Sequence, residues 1–98
     1  MHFGERIKKL RESKNLLQRQ VAASLEIDSP MLSKIERGER RAKREQVLLL
    51  AALLDTDVNE LLTLWLADQV YDIIKEEENA TKALQVAESK VLYNAGRN

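Results

Sequence analysis

Between residues 18 and 38, apolar and small side chains recur at spacings that constrain the fold of this 98-residue chain more than any other feature. The inward-facing positions are Val21, Ala22 and Leu25 in the first half of the segment, and Leu32 and Ile35 in the second. Both sets follow the three- or four-residue spacing of one face of an α-helix. The small side chain of Ala22 allows a second helix to approach closely. The pattern therefore predicts two short helices that cross at a tight turn.

The second of these helices carries signals at both of its ends. Asp28 is a suitable N-cap, and Pro30 lies in the first turn, where a missing N–H is harmless. Gly38 follows the last periodic residue, where a left-handed conformation ends a helix. Ile27 fills the turn before the cap. These signals place the second helix at residues 29–37 and predict a helix-turn-helix motif.

Several further motifs occur in the order found in a known family of regulators. They are the opening FGERIKKLRESKNL, Gln18 at the head of the second helix, the LSKIERG segment that ends the third, and VNELL after Asp57. On these motifs, residues 3–66 resemble the Cro/CI-type helix-turn-helix family, also called the XRE-like regulators. The resemblance implies an all-α, five-helix lambda-repressor-like DNA-binding domain. Two positions depart from the family pattern, since Leu17 replaces the usual Ser or Thr cap and Glu26 replaces a Gly in the turn.

Periodicity predicts five helices in the first 66 residues and one or two more beyond them. The expected ranges are 4–13, 18–25, 29–37 and 45–54, followed by a fifth helix that begins at Val58 after Asp57 as its cap. We therefore expect a DNA-binding domain at residues 1–66 and a C-terminal helical dimerisation extension at residues 67–98. Glu26, in the turn, is expected to adopt a left-handed backbone conformation.

The C-terminal extension carries an apolar band that is too broad for one packing face. Asn79 is a candidate break and fresh N-cap, so the extension is either one long helix or a helical hairpin. We expect it to form a homodimer, and the alternative is that residues 70–91 fold back on the chain's own core. The expected interface residues are Trp65, Val70, Tyr71, Ile73, Ile74, Leu84 and Val91.

The net charge is zero, but opposite charges are segregated along the chain. Residues 1–44 contain 12 Lys and Arg against 6 Asp and Glu, whereas residues 45–98 contain 4 against 10. Six cations crowd into residues 34–44, namely Lys34, Arg37, Arg40, Arg41, Lys43 and Arg44. Such a cluster after a predicted recognition helix is typical of proteins that bind the phosphate backbone. The alternative is a solvated, charged loop.

The family resemblance divides the candidate site residues into two groups. Those expected to reach base edges come from the third helix and are Ser29, Pro30, Ser33 and Lys34. Those expected to bind phosphates are Gln18, Arg37, Arg40, Arg41, Lys43 and Arg44. Lys34 is the sharpest candidate, because a lysine can donate to O6 or N7 of guanine. The resemblance also pairs Arg11 with Glu36 as a structural ion pair between the first and third helices.

Catalytic and metal-binding functions have little support in the sequence. There is no cysteine, and the only histidine is His2 at the terminus, where we expect it to be inert. The carboxylates at residues 76–78 are contiguous and cannot converge as an acid–base pair. We therefore expect no enzyme activity, no metal and no cofactor. The short apolar runs and the lack of a signal-peptide core predict a cytoplasmic protein with no membrane partner.

Two functions of different classes fit these features. The first is a sequence-specific transcriptional regulator that binds double-stranded DNA as a homodimer on a palindromic operator, either regulating its own operon or controlling a restriction-modification system. The second is an antitoxin-like protein whose C-terminal helices bind another polypeptide, with DNA binding for autoregulation. A helix-turn-helix fold used only as a protein adaptor is a third reading, against which the basic cluster argues.

Overall fold

The computed structural model describes residues 1–96, which form six α-helices and no strands. The helices are α1 (Phe3–Ser13), α2 (Gln18–Ser24), α3 (Ser29–Glu36), α4 (Arg44–Leu53), α5 (Val58–Ile74) and α6 (Ala80–Gly96). The all-helical prediction is confirmed, and each predicted helix boundary lies within one residue of the observed one for α1 to α4. The chain divides into two compact units, one ending at Asp68 and the other beginning at Gln69. No described helix is long and apolar enough to cross a membrane.

The N-terminus of α1 is capped by the residue expected to be inert. His2 Nδ1 accepts a hydrogen bond from the Glu5 backbone N–H at 3.3 Å, and the Glu5 carboxylate accepts one from the His2 backbone N–H at 3.4 Å. This reciprocal capping box satisfies backbone N–H groups that have no partner within the helix. The imidazole therefore acts as a structural cap, which corrects the expectation that His2 has no role.

The turn between α2 and α3 has the predicted chemistry. Asp28 Oδ1 accepts a hydrogen bond from the Met31 backbone N–H at 2.8 Å, so Asp28 is the N-cap of α3. Glu26 has a φ of 59° and Gly38, after α3, has a φ of 77°, both in the left-handed region. A non-glycine residue is strained there, whereas glycine is not. The two ends of α3 are thus fixed by local sequence.

The core of the first unit is formed by side chains from α1 to α5. Its buried apolar members are Phe3, Ile7, Val21, Ala22, Leu25, Leu32, Ile35, Ala42, Val47, Leu50, Ala51, Leu54 and Leu61. All five positions of the predicted helix-turn-helix faces are in this cluster. α5 contributes only Leu61 as a fully buried residue, although Val58, Leu62, Leu64 and Trp65 pack partly against the cluster. The broad apolar band of α5 is therefore only partly used by the core.

One buried carboxylate joins three helices of this unit. Glu36 accepts hydrogen bonds from Arg11 Nε at 2.7 Å, from Arg11 Nη2 at 3.1 Å and from Gln18 Nε2 at 2.9 Å. Arg11 Nη1 also donates to the carbonyl oxygen of Leu16 at 2.9 Å. The hydrogen bond to Glu36 raises the pKa of Arg11. We name this group of Arg11, Gln18 and Glu36 the Glu36 cluster; it fixes α1, α2 and α3 to one another.

Gly4 allows α1 to lie directly against the end of α3. A Cβ atom at this position would lie 2.4 Å from the Ile35 carbonyl oxygen and 2.5 Å from that of Glu36. Both neighbours are backbone atoms, which cannot rotate away. Any side chain at position 4 would therefore push α1 off α3 and stretch the hydrogen bonds of the Glu36 cluster.

The second unit leaves most of its apolar side chains exposed to solvent. Tyr71 is 62% exposed and Ile73 is 76% exposed at the end of α5. α6 begins after Asn79, as predicted, and has no buried residue between Ala80 and Gly96. Its exposed large apolar side chains are Leu84, Val86, Val91, Leu92 and Tyr93.

Replacing Glu36 by alanine is expected to destabilise the first unit strongly. The change leaves the Arg11 guanidinium buried without its partner, and an unpaired buried charge costs about 3 to 5 kcal/mol. The matched control is Glu60→Ala, which breaks the exposed Arg6–Glu60 pair and should cost under about 1 kcal/mol. Urea denaturation followed by circular dichroism measures both. Equal and small effects would show that the Glu36 cluster does not stabilise the fold.

Replacing Glu26 by glycine is expected to be neutral or mildly stabilising. The left-handed conformation costs a non-glycine residue about 1 to 2 kcal/mol, and glycine loses about 0.5 to 1 kcal/mol through its greater freedom in the unfolded chain. Asn15, with a φ of 56° after α1, is the control, because asparagine tolerates this conformation better. The same denaturation experiment should therefore show a smaller gain for Asn15→Gly than for Glu26→Gly. A clear loss of stability in Glu26→Gly would contradict the strain argument.

Candidate nucleic-acid interface

Among the candidate base-reading residues, Pro30 and Lys34 lie on the side of α3 opposite its buried face, and Ser29 and Ser33 flank that face. Leu32 and Ile35 are buried in the core. Pro30 and Lys34 are exposed. Ser29 and Ser33 are half-buried. The first two turns of α3 therefore offer polar groups and one cation to solvent, as a recognition helix must in order to reach base edges.

Arg37, expected to bind phosphate, contacts two neighbouring side chains, Ser33 and Glu39. Its Nη1 atom donates a hydrogen bond to Ser33 Oγ at 2.6 Å, and its Nε atom donates to the Glu39 carboxylate. The hydrogen bond with Glu39 raises the pKa of Arg37, and the same bond lowers the pKa of Glu39. Both groups are therefore held in their charged forms. Arg37, Ser33 and Glu39 form one connected group, which we call the Arg37 network.

The basic segment, residues 37–44, is folded back onto the end of α3. The Lys34 carbonyl oxygen accepts hydrogen bonds from the backbone N–H groups of Glu39, at 2.9 Å, and Arg40, at 3.3 Å. Ala42 is buried in the core and anchors the middle of the segment. The side chains of Arg40, Arg41 and Lys43 are exposed on it. Because the segment is anchored at the Lys34 carbonyl oxygen and at Ala42, the backbone that carries these cations is held beside α3.

Trp65 holds the basic segment against α5 through two contacts. Its indole Nε1 donates a hydrogen bond to the Ala42 carbonyl oxygen at 2.8 Å. The Arg44 guanidinium lies over the indole ring, 5.3 Å from the ring centroid. This cation–π contact occupies one face of the guanidinium and leaves its N–H edge for other partners. Trp65 therefore forms contacts within the first unit, and one of them holds Arg44 in place.

Gln18 braces the Glu36 cluster with one of its amide hydrogens. The Nε2 atom donates to Glu36 Oε1, which places the head of α2 beside the end of α3. An amide NH₂ has two donors, so one remains for a phosphate oxygen. The neighbouring Arg19 is exposed in the first turn of α2 and adds a cation at this end. The sequence reasoning passed over Arg19 because no motif marks it.

The departure at Leu17 is compensated within the same turn. Leu17 is the N-cap of α2 and has no side-chain oxygen. Gln20 Oε1 accepts a hydrogen bond from the Leu17 backbone N–H at 2.7 Å. Gln46 makes the same contact with Lys43 at the start of α4, at 2.8 Å. A Gln three residues after the cap position is the sequence signal that identifies both helix starts.

A shallow pocket separates the basic segment from α3. Its apolar floor is formed by Ile27, Met31 and Ile35, and its rim is formed by Arg40, Arg41, Lys43 and Gln46. A pocket with apolar walls and a cationic rim strengthens the local attraction for an anion. Three of the six candidate phosphate-binding residues, Arg40, Arg41 and Lys43, therefore line one pocket.

The remaining candidates belong to the proposed interface between copies. Val70, Tyr71, Ile73, Leu84 and Val91 are exposed, and Ile74 is half-buried.

The structure brings together two pairs of the predicted site residues, Arg11 with Glu36 and Ser33 with Arg37. It does not bring Gln18 into contact with the basic segment, because the amide of Gln18 is directed at Glu36.

Comparison with known proteins places the match on the first unit. A family profile described as a helix-turn-helix domain matches residues 2–64. Among solved structures, the chain is similar to the restriction-modification controller protein C.AhdI from Aeromonas hydrophila, with 36% sequence identity and a TM-score of 0.55. That match covers 60% of this chain and 86% of the other. None of the curated proteins compared with the chain matches it. The profile match ends within α5.

Proposed function

Because the chain belongs to the helix-turn-helix family of DNA-binding regulators, we propose that it is a sequence-specific regulator that binds a palindromic operator as a homodimer. The observation that carries this proposal is the basic segment, held beside α3 by the Lys34 carbonyl and by Trp65. Cations fixed next to a polar helix face supply two things that specific binding needs, namely contacts to the backbone and contacts to bases.

The backbone contacts come from Arg40, Arg41 and Lys43, with Arg44 and the second amide hydrogen of Gln18. Arg40, Arg41 and Lys43 line the pocket, Arg44 lies over the Trp65 ring and Gln18 lies at the head of α2. Cations that bind phosphate release counterions from the duplex. These contacts set the register of α3 in the major groove.

The base contacts come from α3. Lys34 can donate to O6 or N7 of guanine, and Ser29 and Ser33 can form hydrogen bonds with several bases. Pro30 offers an apolar contact, which suits a thymine methyl group. Two of these four residues are exposed and two are half-buried, so the helix is ready to enter a groove without rearranging its core face.

The homodimer follows from the limited reach of one recognition helix. One helix contacts only a few base pairs, and a two-fold pair doubles the contact on a palindrome. The second unit exposes apolar side chains, including Ile73 at 76% and Val91 at 66%, and a second copy would cover them. These side chains lie in the acidic half of the chain, residues 45–98. The negative charge and the basic segment therefore occupy different parts of the sequence.

The regulated genes are proposed from similarity alone. C.AhdI is a restriction-modification controller protein, and we propose that this chain controls genes of the same kind, including its own. The exposed apolar side chains equally favour an antitoxin-like protein that covers them with a different polypeptide. A methyltransferase gene or a toxin gene beside the coding sequence would separate these two functions.

The affinity for DNA is expected to fall steeply as salt rises. With about four phosphate contacts in each of two subunits, the log–log slope of affinity against salt should be about −6 to −8. Arg40→Ala or Arg41→Ala should flatten the slope and weaken all sequences. The control is Lys82→Ala, which removes an exposed cation from α6 and should leave the slope unchanged. Fluorescence anisotropy measures each slope. A wild-type slope shallower than about −2 would contradict the assignment of these cations to phosphate contacts.

Lys34→Ala is expected to lose discrimination at one base pair in each half-site. A good base contact is worth about 1 to 3 kcal/mol against the wrong base. Non-specific affinity should stay close to that of the wild type, because Lys34 is not assigned a phosphate contact. Arg40→Ala is the contrasting variant, since it should weaken every sequence alike. Selection of bound sequences from random duplexes tests both, and an unchanged consensus in Lys34→Ala would assign Lys34 to the backbone or to solvent.

A chain shortened after Asp68 is expected to fold as a monomer and to bind its operator more weakly. The cut keeps the hydrogen bond from the Phe3 backbone N–H to Asp68 Oδ2, at 2.9 Å, so the first unit remains intact. Sedimentation of the full and the shortened chain measures the difference. Monomers in both would favour the antitoxin-like function, and dimers in both would place the interface on the first part of α5.

A further inference from the structure

The Arg37 network constrains the hydroxyl group of Ser33. Arg37 and Ser33 are four residues apart, and the Arg37 backbone N–H also donates to the Ser33 carbonyl oxygen at 3.0 Å. The guanidinium Nη1 therefore approaches Ser33 Oγ, at 2.6 Å, along the surface of α3. The hydroxyl is half-buried beside Lys34, on the face proposed to enter the groove.

The chemistry of the two groups fixes the direction of this hydrogen bond. A guanidinium has five donors and no acceptor, whereas a hydroxyl has one donor and two acceptor lone pairs. Ser33 Oγ must therefore accept from Arg37, and its own O–H remains to donate. Within the described residues, Ser33 has no acceptor for that hydrogen. One of the two lone pairs is thereby occupied and a positive charge lies beside it, so Ser33 is favoured as a donor over a second role as an acceptor.

Arg37 is held in this position by Glu39, whose own place is set by a backbone hydrogen bond and by Gly38. Its Nε atom is bound by the Glu39 carboxylate. The Glu39 backbone N–H is bound by the Lys34 carbonyl oxygen at 2.9 Å. Gly38, between them, has the left-handed conformation, with a φ of 77°, that brings the chain back toward α3. An acidic residue beside a DNA-binding surface, otherwise unfavourable, is explained by this contact.

We propose that Arg37 is a positioning residue, held by Glu39, that makes Ser33 a hydrogen-bond donor to a base acceptor in the major groove. This inference rests on the proposed function, because it takes the exposed face of α3 as the reading face. The acceptors available there are N7 of either purine, O6 of guanine and O4 of thymine. The amino groups of cytosine and adenine are donors and are disfavoured at this position, because the Arg37 guanidinium already occupies one lone pair of Ser33 and its charge opposes a second donor.

The first test locates the base pair that Ser33 reads. Sequences bound by the wild type and by Ser33→Ala are selected from random duplexes at one salt concentration. The preference of Ser33→Ala for the correct base should fall about 2- to 12-fold at one base pair per half-site. This range corresponds to the free energy of a single hydrogen bond. That base is then replaced by analogues of two kinds. In 7-deazapurine and 4-thiothymine, the acceptor atom is removed or weakened. In purine and 2-pyrimidinone, the amino group is absent. Loss of preference only with the acceptor analogues supports the proposal, and loss with the amino analogues overturns it.

The second test compares two variants that remove the same charge. Arg37→Met should lose preference at the Ser33 base pair, and the double variant Ser33→Ala with Arg37→Met should lose no more than Ser33→Ala alone. Arg40→Met should weaken all sequences and keep the preference. If Arg37→Met behaves like Arg40→Met, Arg37 is a phosphate contact and the proposal is overturned.

The third test separates the network from general stability. Glu39→Ala removes an acid next to the DNA, so it should strengthen non-specific binding while reducing preference at the Ser33 base pair. A variant that failed to fold would weaken binding to every sequence, so unfolding cannot give this pair of opposite changes. Retained preference in Glu39→Ala would overturn the role of Glu39. A wild-type protein that binds no DNA would overturn the proposed function itself. The selection from random duplexes in the first test would show that result.

Discussion

The carboxylate of Glu36 is the interaction on which the rest of the first unit depends. It accepts three hydrogen bonds from α1 and α2 while it ends α3, so one buried group sets the positions of three helices. Gly4 makes this possible by admitting the α3 carbonyl oxygens where a side chain would collide. A small core cannot fix a helix by apolar contact alone as firmly as a directional, charged hydrogen bond can. The orientation of the recognition helix is therefore set by its buried end.

The same C-terminal end of α3 also holds the basic segment through a second set of contacts. Lys34 binds the basic segment through its carbonyl oxygen, and Trp65 binds it through Ala42. The indole comes from α5, which continues toward the exposed apolar residues at its end. α5 therefore contacts the basic segment and also continues into the second unit.

Sequence reasoning succeeded where the cause was local. The apolar faces of α2 and α3, the Asp28 cap and the left-handed Glu26 each follow from residues within one or two turns. It failed where the cause was a contact across the fold. No periodicity connects Trp65 with Ala42, and no motif shows that Gly4 lies against α3. The Arg11–Glu36 pair, 25 residues apart, came from family resemblance rather than from the pattern of residues.

The candidate site illustrates the same division on a smaller scale. A cluster of cations is visible in the sequence, but charge alone does not show which cation binds phosphate and which one holds a neighbour. Only the geometry separates Arg37, directed at Ser33 and Glu39, from the exposed Arg40. Two arginines three residues apart thus have different surroundings, and the roles proposed for them differ accordingly, with Arg37 positioning Ser33 and Arg40 contributing charge. Specificity in this protein would then depend on an arginine that need not touch the DNA.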